Sequence, residues 1–248
     1  MKKYIYLLIL CFGITRLNAQ TCTNPYHIVI LGSSTAYGNG ASDITKSWAY
    51  KYTDYLKSIN PGYVVDNLAV PGTTTYSAQP DNYVPPNGRP APMIGHNITT
   101  AINLNANAII INFPSNDVVQ GFSLKEQKDN FKRITNLAAK NNILVWVATP
   151  QPRDSLTEAQ ITSQHRLYNW IMQYYGAKKI DFHKDLASPA DSILFKYSAG
   201  DGIHLNDAGH KVLYNRVVRE NIPDALCNEF VPVAQKTKKP EKIISAAY

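Results

Sequence analysis

His27-Ile-Val-Ile-Leu-Gly-Ser-Ser34 is the stretch on which the reading of this chain turns. Four apolar residues, three of them β-branched, run up to a glycine, and two hydroxyls follow at once. Such a run predicts a buried strand that ends in a tight turn. Downstream, Trp48, Tyr52, Tyr55, Leu56 and Ile59 recur at helical spacing, and Asn60-Pro61-Gly62 stops that helix. Tyr63–Asn67 predicts a second strand. Ala108–Phe113 predicts a third, apolar throughout and therefore covered on both faces.

The second half repeats the alternation. Ser123 caps a helix to about Lys140, Ile143–Ala148 is a fourth strand, and Glu158–Tyr175 is a helix. A shorter strand follows near Lys179–Phe182, and Asn206 caps a last helix through Arg219. Strands alternating with helices imply β-α-β units. The expected fold is α/β, a three-layer α/β/α sandwich around a parallel five-stranded sheet. Thr73–Ile98 differs in kind: it holds five prolines and no clear period. Long loops of that sort within a domain are usually functional.

The two ends read differently from the middle. Lys2 and Lys3, an apolar run from Tyr4 to Ile14, and Ala19 form a secretory signal peptide over residues 1–20. A lipid anchor on Cys11 fits less well, because the bulky Leu10 precedes it. No segment reaches the roughly 18 continuous apolar residues of a membrane span. The domain is expected over 21–232, and 233–248 reads as a lysine-rich tail or linker. Nearly all of the formal net charge of +7 lies in these ends, which leaves about +1 for the domain. That is too little for a nucleic-acid footprint. Processing leaves Cys22 and Cys227, and an even number of cysteines in a secreted chain favours a disulfide over two buried thiols. The expected localisation is secreted or periplasmic.

In an open parallel sheet, ligands bind beyond the carboxyl ends of the strands. Gly32-Ser33-Ser34 follows strand one, Val70-Pro71-Gly72 strand two, Ser115-Asn116-Asp117 strand three, and Asp201-Gly202-Ile203-His204 comes after strand five. Acyl transfer needs these groups. A serine hydroxyl becomes a nucleophile when a base takes its proton, and imidazole suits that task near neutral pH. Asp201, three residues before His204, is placed to orient the ring. The N–H groups of Ser34 and Gly72 and the Asn116 amide are candidate oxyanion donors.

These blocks closely resemble the SGNH/GDSL hydrolase family. Gly32-Ser33-Ser34 matches its Gly-Asp-Ser block, Asn67-Leu-Ala-Val-Pro-Gly72 its second block, Asn116-Asp117 its third, and Asp201-Gly-Ile-His204 its Asp-x-x-His. The resemblance implies a flavodoxin-like fold, Ser34 as nucleophile, Gly72 and Asn116 as oxyanion donors, and neither metal nor cofactor. One departure is Ser33, which stands where the family usually has aspartate and so becomes a rival to Ser34. The Gly-x-Ser-x-Gly elbow of α/β-hydrolases is absent, since Ala36 takes the last glycine's place.

The remaining candidates carry less. His27, His165 and His183 are scattered along the sequence and read as structural or exposed, and His210 is expected to pack beneath the site. Asp117 is expected to orient the Asn116 loop. Arg153, after the fourth strand, and Tyr76, in the long loop, are candidate substrate contacts. The Tyr, Asn and Pro of that loop suit a sugar better than an acyl chain. An acetylated carbohydrate is thus the expected substrate, with a lipid ester or thioester as the alternative. A catalytically silent glycan-binding module is the competing class.

Overall fold

The computed structural model describes residues 24–230. Side-chain alternation along β1 (His27–Gly32) divides the core in two: Ile28 and Ile30 enter one cluster, Val29 and Leu31 the other. β1 pairs in parallel with β2 (Val64–Asn67) on one side and β3 (Ala108–Asn112) on the other. β4 (Leu144–Ala148) and β5 (Lys179–Ile180) extend the sheet in parallel, giving the order β2-β1-β3-β4-β5. The expected three-layer α/β architecture is the one observed.

Eight α-helices are formed among the described residues: α1 (Ser34–Tyr37), α2 (Trp48–Ile59), α3 (Ile98–Asn103), α4 (Asn116–Val119), α5 (Leu124–Lys140), α6 (Glu158–Tyr174), α7 (Asp207–Arg219) and α8 (Ile222–Phe230). α2, α7 and α8 cover one face of the sheet, through Trp48, Tyr52, Leu56, Leu213, Val217 and Leu226. α3, α5 and α6 cover the other, through Ile98, Phe131, Ile134, Leu167 and Ile171. Each such side chain, removed from water, contributes about 1.5–3 kcal/mol. α5 starts where a capping box fixes it: Ser123 Oγ accepts from the Glu126 N–H, and the Glu126 carboxylate accepts from the Ser123 N–H.

Three expectations about elements need correcting. α7 is not the last helix, because α8 follows it, and Cys227 lies within α8 rather than beyond the final helix. Pro223 stands in the first turn of α8, where a missing N–H costs nothing. β5 is shorter than expected, because the Phe182 N–H leaves the ladder and donates to Thr149 Oγ1 at 2.8 Å. The one-turn helices α1 and α4 and the short α3 were not expected. The signal peptide, Cys22 and the lysine-rich tail lie outside the described residues. No described helix is long and apolar enough to cross a membrane.

The sheet order places the chain's change of direction between β1 and β3. Loops leaving the carboxyl ends of these two strands diverge there and open a crevice. α1 starts at Ser34, directly after β1, and α4 starts at Asn116, shortly after β3.

Candidate active site

Ser34 is the first residue of α1 and is 8% exposed. Its hydroxyl lies 2.8 Å from Nε2 of His204, and Nδ1 of the same ring lies 2.6 Å from Oδ2 of Asp201. With the proton on Nδ1 donated to the carboxylate, Nε2 has a lone pair to accept the serine proton. Asp201 and His204 sit at the tip of a hairpin closed by the Ser198–Leu205 bridge, where the Ala199 N–H donates to the His204 carbonyl. Oδ1 of Asp201 accepts from the backbone N–H groups of Ile203 and His204. Burial raises the Asp201 pKa, but these backbone bonds and the His204 ring outweigh it and hold the carboxyl down at about 2. The group is therefore a permanent anion near neutral pH.

The hairpin is held from two sides. From β4, Gln151 Nε2 donates to the Ile203 carbonyl at 3.1 Å, and the Asp154 N–H donates to the Gly202 carbonyl at 2.8 Å. On the other side Gly40 backs the imidazole. A Cβ at Gly40 would stand 2.7 Å from the His204 Cβ and 2.3 Å from the Leu205 carbonyl oxygen, and its φ is +91°. Below, His210 is fully buried, accepting from the Trp48 N–H on Nδ1 and donating from Nε2 to the Asn39 carbonyl. Burial lowers its pKa, so the ring stays neutral and holds the Asn39-Gly40 turn in place.

The second and third loops meet beside Ser34. Val70-Pro71-Gly72-Thr73 is a turn closed by a bond from the Thr73 N–H to the Val70 carbonyl, with Gly72 at φ +83°. Proline at the second position and a left-handed glycine at the third are what a type II turn requires. The Val70 N–H donates to the Gly32 carbonyl, which fixes this turn to the end of β1. One Asn116 N–H donates to the Thr73 carbonyl at 2.8 Å, leaving a second N–H on the same amide for another acceptor.

A hydroxyl bonded to a base with a lone pair, a fixed anion behind that base and a spare amide N–H on Asn116 are equipment suited to acyl transfer. Residues 30–212 match the GDSL-like lipase/acylhydrolase family. The chain belongs to that family. It is an esterase with the family's α/β fold, and no curated protein matches it.

Solved structures of GDSL-type hydrolases superpose on it at low identity. The psychrotrophic esterase EstA of a Pseudoalteromonas species, in a structure inhibited by monoethylphosphonate, is 16% identical over 82% of this chain and 100% of that one, with a TM-score of 0.59. A GDSL-like lipase from Bacteroides thetaiotaomicron is 17% identical over 81% and 89%, with a TM-score of 0.60. A two-domain esterase active on acetylated mannans is 16% identical, covering 89% of this chain and 53% of its own, with a TM-score of 0.54.

Within this GDSL-like esterase the other candidates fall into place unequally. Ser33 is fully buried, and its hydroxyl finds no hydrogen-bond partner, whereas the Ser34 hydroxyl is the one bonded to His204. Arg153 is partly buried; Nη1 donates to Ser115 Oγ at 3.3 Å, next to Asn116. Burial lowers its pKa, and the charge of Asp201 opposes that shift. It thus reaches the rim from β4 as the sequence implied.

Tyr76 does not. It is 2% exposed, stacked on Tyr83, set edge-on against Phe122, and donates its hydroxyl to Glu126. The expected sugar contact is instead packed between the long loop and the start of α5, where Phe122 and Glu126 receive it.

Asp117 anchors that loop. Its carboxylate accepts from the Thr75 hydroxyl and N–H, and Asn130 Nδ2 donates to the same hydroxyl at 3.0 Å. It therefore fixes the Asn116 loop, as expected, and also ties it to residues 73–98. Burial pushes its carboxyl up to about 6, against the hydrogen bonds from Thr75. A groove of about 480 Å³ opens along this loop, lined by Pro71, Gly72, Thr74, Ser77, Pro92 and Met93 among others. A larger one, about 690 Å³, lies between α5, β4 and α8 and holds no residue of the site. The 480 Å³ groove is the relevant one because it includes Gly72 and Thr73. Gly40 and Thr75 were not singled out in the sequence, since a backing glycine and a buried threonine carry no local pattern.

Proposed function

We propose that this chain is a secreted serine esterase that removes acetyl groups from a carbohydrate, with Ser34 as nucleophile, His204 as base and Asp201 as its partner. Ser34 Oγ attacks the acetyl carbonyl while its proton passes to His204 Nε2. The carbonyl becomes an oxyanion held by the N–H groups of Ser34 and Gly72 and by the free Asn116 N–H. The C–O bond to the sugar then breaks, and His204 returns its proton to the leaving hydroxyl. Water, deprotonated by His204, releases acetate from the acyl-serine by the reverse sequence. Asp201 holds the ring's tautomer and stabilises the imidazolium at both stages.

The observation that carries this reading is the unbroken hydrogen-bond line Asp201–His204–Ser34, at 2.6 and 2.8 Å. Support for a short acyl group comes from the groove beside Gly72. Proline, threonine and serine dominate it, with Met93 its longest apolar side chain, and an extended acyl chain would need a more aliphatic wall. The likeness to an esterase active on acetylated mannans points the same way. Secretion rests on the leader sequence, and a Cys22–Cys227 disulfide fits that compartment.

The test is acetate release from a panel of acetylated mannan, acetylated xylan, short-chain nitrophenyl esters and lysophospholipids. The expected result is faster acetate release from an acetylated glycan than hydrolysis of any lysophospholipid. Preference for the lipid would replace the carbohydrate reading. Glycan binding without any ester turnover would favour the binding module.

A further inference from the structure

We propose that His165, His183 and Asp191, between α6 and the loop after β5, form a binding site for one divalent transition-metal ion, Zn2+ foremost. The sequence treats these residues as unrelated, and the fold brings them together. Their ligand atoms all lie within 4.8 Å of one another. Nε2 of His183 is 2.8 Å and Nε2 of His165 is 3.1 Å from the same atom, Oδ1 of Asp191. Ligands around a tetrahedral ion at about 2.0–2.1 Å stand roughly 3.3 Å apart, so each of these pairs needs to open by only a few tenths of an ångström.

Three features distinguish this cluster from a chance surface grouping. Its members come from separate elements, α6 for His165 and the loop after β5 for the other two, so an ion would join parts of the fold that the chain leaves apart. Asp191 is buried, with a side-chain exposure of 10%, while the His165 side chain is 52% exposed, which provides an entry path and a side open to a water ligand. The His183 backbone is held in position: its main-chain N–H donates to Asp181 Oδ1, and Asp181 Oδ2 in turn accepts from the Tyr168 hydroxyl. Two imidazoles and one carboxylate are borderline ligands that suit Zn2+ and its neighbours better than Ca2+ or Mg2+.

Binding moves protons but no electrons. Each Nε2 that now donates to Asp191 must present its lone pair instead. In a neutral ring the proton moves through solvent to Nδ1, and an imidazolium releases one proton. The ion's role would be to brace the fold rather than to take part in ester cleavage. Ile193, two residues after Asp191, donates its N–H to Asp154 Oδ1 at 2.8 Å, and the Asp154 N–H holds Gly202 in the His204 hairpin. An ion that fixes Asp191 would therefore stiffen the support of that hairpin.

The experiment uses the tag-free protein, stripped with a chelator and titrated with ZnCl2 by calorimetry, with thermal unfolding followed in parallel. Binding of about one Zn2+ per chain is expected, with Tm raised by about 5–10 °C at a hundredfold excess over Kd. His165→Ala, at an exposed helix position that should not disturb folding, should weaken binding at least about a hundredfold and abolish the Tm shift. Neither heat nor Tm shift in the unaltered protein would overturn the proposal. So would a His165→Ala variant that binds Zn2+ as tightly as the parent.

Discussion

The hydroxyl of Ser34 and the Nε2 of His204 meet at 2.8 Å although 170 residues separate them in the chain. β1 delivers the first and a hairpin leading into α7 delivers the second. Their meeting depends on supports outside the pair itself, chiefly Gly40, Gln151 and Asp154. Altering those supports should change turnover without removing any reacting atom.

Gly40→Ala is the sharpest case. The added methyl collides with the Leu205 carbonyl and the His204 Cβ, and alanine resists a φ of +91°. Displacing the imidazole by about 1 Å is expected to lower kcat about 10²-fold. Kinetics on nitrophenyl acetate, with Tm measured alongside, would show whether the fold survives while turnover falls.

Asn116→Ala removes the side-chain N–H that we propose as an oxyanion donor. We expect kcat to fall about 10²–10³-fold with KM changed little, because the lost bond forms with the developing charge. Equal loss in KM with kcat intact would place Asn116 in ground-state binding.

Asp201→Asn should reduce kcat by about 10⁴, the penalty for the wrong imidazole tautomer in triads of this type. Its carboxyl stays ionised down to about pH 2, so an acid limb in the rate profile above pH 4 cannot come from Asp201. That limb should persist, at the same position, in Asn116→Ala.

Asp117 makes a prediction about stability and pH. Its pKa is raised from 3.8 to about 6 in the fold, by burial. The folded state therefore binds the proton more tightly than the unfolded chain. The resulting stabilisation is full below about pH 4 and is lost as pH rises through about 6, with an upper size of about 3 kcal/mol. Asp117→Asn cannot ionise. The lost carboxylate–Thr75 geometry costs it the same at every pH, whereas its stability relative to the parent should improve between pH 4 and 6.5. Denaturant unfolding at a series of pH values would reveal that slope, and parallel curves would contradict it.

How much of this was legible in the sequence differs from element to element. α2 could be read to its ends, because aromatic residues at helical spacing run into Asn60-Pro61-Gly62. The start of α5 was legible through Ser123, whose cap is a local interaction. α1 and α4 were not, since four residues are too few to display a period. α8 is missed because the last helix reads as ending at Arg219, and nine residues that include Pro223 display too little period to announce another. At the site, Ser34 could be named because it sits in a short block at the end of β1, and Asp201 and His204 because they share a short Asp-x-x-His block. Tyr76 is not legible as a buried residue, since nothing in a proline-rich loop announces that it packs against Phe122 and Glu126 farther along the chain. His165, His183 and Asp191 stayed invisible as a group because their proximity exists only in three dimensions.

The identity of the nucleophile is the claim on which the functional account rests. Treatment with a fluorophosphonate probe, followed by peptide mass mapping, tests it most directly. The account predicts a single phosphonylated serine at Ser34, with labelling and nitrophenyl acetate turnover abolished in Ser34→Ala and largely retained in Ser33→Ala. A label on Ser33, or a Ser34→Ala variant that still turns over the ester at a comparable rate, would contradict it.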